Sequence, residues 1–298
     1  MLKQLYPQCD VTRLLEGAYL DLNLHQQAKA GDVYIYVNYI SSLDGRIALY
    51  NEQLAEYEVP PAIANGRDWR LYQELAGQAD VMLTSARYFR QLAKGKAQDL
   101  LPVGEGEAYA DIKHWREKQG LKPQPDVMVL SDSLDIPLEA LEKVKDRKVI
   151  VCTSSSDVEK ITQLEQAGVL VLPVMSSDKV NSVAREYPLG EVETSRDPLG
   201  AKPTCGASFG VTGKFMRQCL LDLNYRSAYL IAGPKVHATF IKDACVNELF
   251  LTTHFTLLGG EKASGLVDAD LSKAQSLKLI SLYLDTAQNQ LFQRFQYV

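Results

Sequence analysis

The sequence predicts an α/β fold built on a mixed, mostly parallel sheet flanked by helices, with an antiparallel hairpin at its C-terminal edge. Three observations carry this: short β-branched runs recur along the chain, helix-like segments alternate with them, and the tail breaks that rhythm with two strand-like runs in succession. The strand-like runs are Val33 to Ile40, Asp80 to Leu83, Asp126 to Leu130, Lys148 to Cys152, Val169 to Val174, Ala228 to Ile231 and Glu248 to Thr253. Between them, Arg67 to Ala76, Ala86 to Ala93, Asp157 to Ala167, Lys214 to Leu223 and Lys235 to Asp243 read as helices, most of them opened by Ser, Asp or Gly. Leu277 to Leu284 and Gln290 to Tyr297 flank a turn of five residues, the signature of a hairpin. Leu101 to Pro125 reads as an excursion around a short amphipathic piece, His114 to Lys118. Pro188 to Ser208, with three prolines and three glycines, reads as a lid or a linker.

The 298 residues carry 32 Lys+Arg against 37 Asp+Glu, a formal charge of −5. That balance argues against a nucleic-acid partner, which needs clustered positive charge to displace counterions. No apolar run approaches the roughly 18 residues of a membrane span, and the N-terminus lacks a signal-like apolar stretch. Five cysteines without a Cys-x-x-Cys pair and four scattered histidines exclude a zinc site. The expectation is a cytoplasmic protein without a metal. With no internal repeat and no long linker, the chain is read as one large domain over residues 31–298 behind an N-terminal extension, 1–30.

In open α/β sheets ligands bind beyond the carboxyl ends of the strands. Here those ends are small and polar: Ser41-Ser42-Leu43-Asp44-Gly45, Thr84-Ser85, Ser131, Thr153-Ser154, and Ala232-Gly233-Pro234-Lys235 at a helix start. Each alone is ambiguous, since Ser, Thr and Asp after a strand also make good caps, and Gly-Pro is an ordinary helix opening. Asp44 faces the same alternative, a ligand-facing carboxylate or an Asp-Gly turn. Walker, Gly-x-Gly-x-x-Gly and Gly-x-Ser-x-Gly patterns all fail on inspection.

Three stretches together resemble the reductase domain of riboflavin biosynthesis, a bacterial pyrimidine-reductase family related in fold to dihydrofolate reductase. They are Val37 to Ala48 with Ser-Leu-Asp-Gly-Arg-Ile-Ala; Ala79 to Arg87; and Tyr229-Leu-Ile-Ala-Gly-Pro taken with Cys245 to Leu251 and Leu257-Leu-Gly-Gly260. The resemblance implies an NADPH-dependent reductase of a phosphoribosylaminopyrimidine, working as a homodimer. It places the cofactor against Ile40, Ser41, Thr84, Ser85 and Ser131, with its phosphates at Ala232, Gly233, Pro234, Lys235 and Val236. Asp44 is then the catalytic candidate, and Asn38, Ser42, Arg67, Arg87 and Arg90 the substrate contacts. Three positions depart from the family pattern: Ile231 stands where the glycine turn has Glu, Ala76 where a helix has Arg, and Asn247 where the family has Asp. Those departures keep two alternatives open, a silent nucleotide-binding protein of the same fold and a reductase of another, pterin-like substrate.

Overall fold

The computed structural model describes residues 1–9, 12–53, 55–97, 101, 103–174 and 210–298. The segment Pro188 to Ser208 lies outside the described residues. Seven strands run parallel: β3 (Tyr34–Ser42), β6 (Val81–Ser85), β7 (Asp126–Leu130), β8 (Val149–Thr153), β9 (Leu170–Pro173), β10 (Ser227–Leu230) and β11 (Glu248–His254). β13 (Leu277–Asp285) and β14 (Gln290–Tyr297) form the hairpin, and β14 adds antiparallel to β11. The full order is β2-β1-β13-β14-β11-β3-β10-β6-β7-β8-β9. The fold class expected from the sequence is therefore the one observed. β1 (Leu2–Tyr6) and β2 (Thr12–Arg13), from the first thirty residues, extend that same sheet beyond β13. A small second sheet joins β4 (Ala48–Asn51), β5 (Glu56–Glu58) and β12 (Ala263–Ser264).

Side chains alternate across a pleated strand, so each central strand feeds two cores. On one face, Ile35, Val37, Val81, Leu83, Ala228, Leu230 and Leu249 pack with α6 (Gly213–Asp222) and α7 (Pro234–Lys242). On the other, Tyr36, Met82, Tyr229, Phe250 and Phe292 pack with α1 (Gly66–Gly77), and Val127, Val129 and Val151 continue that face under α2 (Ala86–Ala93), α4 (Leu138–Leu141) and α5 (Val158–Gln166). Strands buried on both sides explain why the sequence shows continuous apolar runs there and not alternation. α3 (Ala110–Lys118), the helix inside the Leu101 to Pro125 excursion, sends Arg116 beneath α1. Its guanidinium donates to the carbonyls of Gly77 (2.7 Å) and Ala79 (3.0 Å), where α1 ends and leaves oxygens without helical partners, and to that of Lys122 (2.7 Å), past the end of α3 itself.

The α6–α7 face also encloses His237. Its ring meets the Tyr297 hydroxyl (2.9 Å) and the Leu266 carbonyl (3.2 Å), and burial lowers its pKa to about 4. The histidine is neutral in the fold and protonates more readily in the unfolded chain, so its contribution to stability is present above pH 6.5 and lost as pH falls toward 4. The loss is about 3 kcal/mol. Urea unfolding of the parent and of His237→Gln at pH 7.5 and pH 4.5 checks this: the variant's acid loss should be smaller by about that amount, and equal losses would refute it.

Candidate functional site

α1 begins at Asn65, whose side chain accepts from the N–H groups of Arg67 (3.1 Å) and Asp68 (3.0 Å). This cap fixes the first turn of α1 over the carboxyl ends of β3 and β11. Thr252 pairs in register with Ile40 of β3 and with Phe292 of β14, and its hydroxyl hydrogen-bonds the Asp68 carboxylate. Asp68 Oδ1 is buried with no partner among the described residues, and burial pushes its pKa up to about 6 against the Thr252 bond. The Tyr229 hydroxyl on the same face is buried and unpartnered too, its ring stacked on Tyr36 at 5.1 Å.

The expected cofactor contacts converge on the strand ends. Ile40 and Ser41 close β3, and Thr84 and Ser85 close β6. Parity divides the first pair: Ser41 shares a face with Val37 and α7, whereas Asn38, Ile40 and Ser42 share the α1 face with Tyr36. The hydroxyls of Ser41, Thr84 and Ser85 have no partner among the described residues, and Ser85 opens α2 without capping it. Ser131 differs, because its oxygen accepts from Leu134 N (3.0 Å) and so holds a turn. Gly233 caps α7 with Pro234 at the first helical position and no side-chain cap. A Cβ built on Gly233 would meet nothing within 4 Å. Ala232 is buried and accepts a long hydrogen bond from the Tyr39 hydroxyl (3.4 Å), while Lys235 and Val236 fill the first turn.

Asp44 is fully engaged: it accepts from Ser42 Oγ (2.5 Å), Leu258 N (3.1 Å) and Gly259 N (2.8 Å). These bonds hold its carboxyl well below the usual carboxylate range. It stays ionised and ties the turn after β3, where Gly45 adopts φ +78°, to the Leu257–Gly260 loop. Ser42 is spent in the same turn, also accepting from Arg46 N (3.0 Å). Asn38 presents an amide with no partner among the described residues.

Each of the three arginines has a partner within the fold. Arg67 pairs with Asp285 (2.6 Å), which Gln290 also holds (3.0 Å). Arg87 reaches the Tyr57 carbonyl (3.0 Å), and Arg90 the carbonyl of Asp135 (3.1 Å). Ile231 packs between the two apolar clusters of the α1–α5 face. Asn247, by contrast, replaces the family Asp without loss of its acceptor, taking Ile35 N at 2.7 Å. Among the described residues no group of His, Cys, Asp and Glu could hold a metal, and no helix is long and apolar enough to cross a membrane.

Sequence reasoning passed over Asp68, Tyr229 and Thr252 as site residues. An acid in the first turn of a helix is ordinary dipole chemistry, and nothing local marks one whose partner lies 184 positions away on β11.

A mixed sheet with small polar strand ends, an uncapped Gly-Pro helix start and a closing antiparallel hairpin defines the dihydrofolate-reductase-like class of reductase folds. The RibD C-terminal domain model matches residues 33–194, more than half of the chain, and the protein belongs to that family. Its fold is similar to that of a pyrimidine reductase-like protein from Corynebacterium diphtheriae, with 18% identity over 94% of this chain and 98% of that one at a TM-score of 0.62. RibD of Acinetobacter baumannii aligns at 16% identity and TM-score 0.57, covering 90% of this chain and 59% of its own. The riboflavin biosynthesis reductase Rib7 of Saccharomyces cerevisiae aligns at 14% and 0.54, covering 95% and 99%. No curated protein sequence matches the chain.

Proposed function

We propose that the protein is an NADPH-dependent reductase acting on a phosphoribosylaminopyrimidine-type substrate. The observation that carries this reading is the space left open in front of Gly233 by the described residues, at a helix start that no side chain caps: Pro234 has no N–H and Val236 N bonds the Gly233 carbonyl (3.0 Å), which leaves the N–H groups of Gly233 and Lys235 for a ligand. Backbone N–H groups and the positive end of α7 suit a diphosphate, and Lys235 adds charge beside them. The unpartnered hydroxyls of Ser41, Thr84 and Ser85 supply donors and acceptors along the same crest. These residues fit a dinucleotide, which when bound supplies a hydride to an electron-poor carbon.

The chain's own task is then to orient and enclose. β3 sets Ser41 on the α7 face and Asn38 and Ile40 on the α1 face, so two ligands meet across its end. Asp44 acts as a positioning residue, holding the turn after β3 against the Leu257–Gly260 loop, and its depressed pKa removes it from proton transfer. Arg67, Arg87 and Arg90 remain proposals as phosphate contacts, each needing to leave or share its present partner. Homodimerisation and a cytoplasmic site of action belong to the same reading, and light scattering on a sizing column tests the former.

Gly233→Val separates this reading from a purely structural helix start. With φ −65° and nothing within 4 Å of the added carbon, the variant should fold and lose only about 1 kcal/mol, since Val is a poorer N-cap than Gly. It should lose NADPH affinity by about tenfold or more, the scale of one displaced charge-assisted contact. Titration followed by cofactor fluorescence checks it, and unchanged affinity, or no saturable binding in the parent, rejects the reading. The apolar setting of Ile231 favours one second reading, a nucleotide-binding protein that has lost turnover. NADPH oxidation with the ribosylaminopyrimidine substrate eliminates it.

A further inference from the structure

The last row of side chains on the α1 face of the sheet is polar across four strands. His254 of β11 pairs in register with Ser42 of β3 and with Gln290 of β14, and Gln290 pairs with Asp285 of β13. Side chains in register leave the same face, so the four stand in a line along the crest. Most of this line is committed. Ser42 is bound to Asp44 and to Arg46 N. Gln290 donates to Asp285 (3.0 Å) and accepts from the Asn65 amide (2.9 Å). Asp285, fully buried, also takes Arg67 Nε (2.6 Å) and Ala287 N (3.2 Å).

Two ends of this network remain, and both are donors. Arg67 spends Nε on Asp285, and neither terminal nitrogen of its guanidinium has an acceptor among the described residues; Nη2 is buried in that condition. Withdrawing a charged donor from water without an acceptor is costly, and native structures retain one where something else supplies the acceptor. The side chain still keeps 24% of its surface, so the fork is open to a ligand at the crest. His254 is half-buried, its ring held through Nδ1 by the Thr256 hydroxyl (2.9 Å), and its Nε2 has no partner among the described residues. Arg87 and Arg90, on α2, offer nothing comparable. Each is shared between a carbonyl and a carboxylate: Arg87 between Tyr57 and Glu56 (3.6 Å), Arg90 between the two ends of Asp135 (3.1 and 3.7 Å).

We propose that Arg67 and His254 seat the phosphate monoester on the sugar of the substrate, the Arg67 fork taking two of its oxygens and His254 Nε2 the third. This rests on the reductase reading and selects among its arginines. A planar fork matches two phosphate oxygens, and a monoester has one more terminal oxygen for the imidazole. Asp285, buried beneath, holds the guanidinium in place, and Gln290 ties that pair to Asn65 at the start of α1. The anion seated here is distinct from the cofactor's diphosphate, since Gly233 opens α7 on the other face of the sheet. The chain therefore tells a phosphorylated sugar from a free one at a place separate from the hydride donor.

Ribose 5-phosphate and ribose are titrated calorimetrically into the full chain and into Arg67→Lys, His254→Leu and Arg90→Gln, with NADPH titrations on the same preparations. The parent should bind ribose 5-phosphate more tightly than ribose by on the order of 10–100-fold, the scale of hydrogen bonding between charged groups. Arg67→Lys keeps a positive charge for Asp285 but lacks the fork, and His254→Leu lacks the donor. Each should weaken ribose 5-phosphate by about tenfold or more. Both should keep the parent's affinity for NADPH, and Arg90→Gln should bind everything as the parent does. If Arg67→Lys fails to fold, His254→Leu carries the test, because His254 bonds only Thr256. Equal affinity for the two sugars, no saturation by ribose 5-phosphate up to its solubility limit, an unchanged affinity in His254→Leu, or an equal loss in Arg90→Gln would each overturn the assignment. A parallel loss of NADPH affinity would overturn it too, since the cofactor's own phosphates would then occupy the seat. Where NADPH binds the parent normally, the reductase reading stands and only the phosphate seat falls. If NADPH fails to bind the parent while ribose 5-phosphate follows Arg67 and His254, the reverse holds.

Discussion

Replacing Glu74 with Ala is expected to destabilise the protein by about 3–5 kcal/mol, the range for breaking a buried, hydrogen-bonded charge pair from one side. The Glu74 carboxylate is inaccessible, yet it receives Gly17 N (2.6 Å), Tyr19 N (2.8 Å), Leu20 N (3.3 Å) and Arg70 Nε (2.9 Å). Burial raises its pKa, while the backbone donors and Arg70 pull against that. Removing it strands three N–H groups of the segment that leads from β2 into the core. It also leaves the Arg70 guanidinium with Asp111 and the Ala108 carbonyl alone. Gln78 makes the neighbouring link, accepting Leu24 N (2.8 Å) and donating to the Tyr19 carbonyl (2.8 Å). One side chain of α1 and one from the residue that ends it therefore satisfy the irregular backbone of residues 17–24, and α1 is the helix that carries Asp68. Urea unfolding with an unchanged slope and a lowered midpoint checks the prediction, and a loss below about 1 kcal/mol would mean that water replaces the carboxylate freely. Proteolysis near residue 20 should quicken in parallel.

This docking explains a limit of the sequence. The seven parallel strands and five helices were legible because each is a local pattern: a β-branched run buried on both faces, or an apolar stripe with a cap. β1 and β2 were not, since Leu2 to Tyr6 has one buried residue and depends on β13, some 280 positions away, for its hydrogen bonds. β4, β5 and β12 fail to register because they are short and mostly half-exposed: β4 and β5 pair locally but carry little apolar pattern, and β12 depends on β4, more than 200 positions away. At the site, chain order exposed the crest, Ser41, Thr84, Ser85 and Gly233, because strand ends and helix starts are punctuated by residue type. It could not rank them. Ser131 and Ser42 turned out to hold turns while Ser41 and Thr84 do not, and that distinction lies in which N–H group happens to be within reach. Asp68 and Thr252 were invisible because a pair joined only through tertiary packing leaves no spacing to read.

Asp68→Asn is expected to act in the opposite direction, stabilising the ligand-free protein by up to about 3 kcal/mol above pH 6. The folded pKa of about 6 exceeds the ordinary aspartate value of 3.8, so below pH 4 the group is largely protonated in both states and adds little penalty. As pH rises from 4 through 6 the unfolded chain ionises first, and the fold must either keep the proton or bury a charge. Stability is lost across that window and stays lost above it. The amide avoids this, so parent and variant should unfold alike near pH 3.5 and diverge steadily to pH 7, as followed by urea midpoints. Identical midpoints at pH 7 would mean that the carboxylate is solvated after all. The parent also carries the opposing slope of His237, whose contribution falls as pH drops from 6.5 to 4. The two nearly cancel in the parent across their shared window, and removing Asp68 leaves the histidine unopposed: the variant should be the more stable protein at neutral pH and yet the more steeply acid-sensitive one. A fold that holds an uncompensated carboxylate at neutral pH is less stable than its own amide variant, which is the expected condition of a group kept for a ligand, since functional sites are where stability is commonly given up.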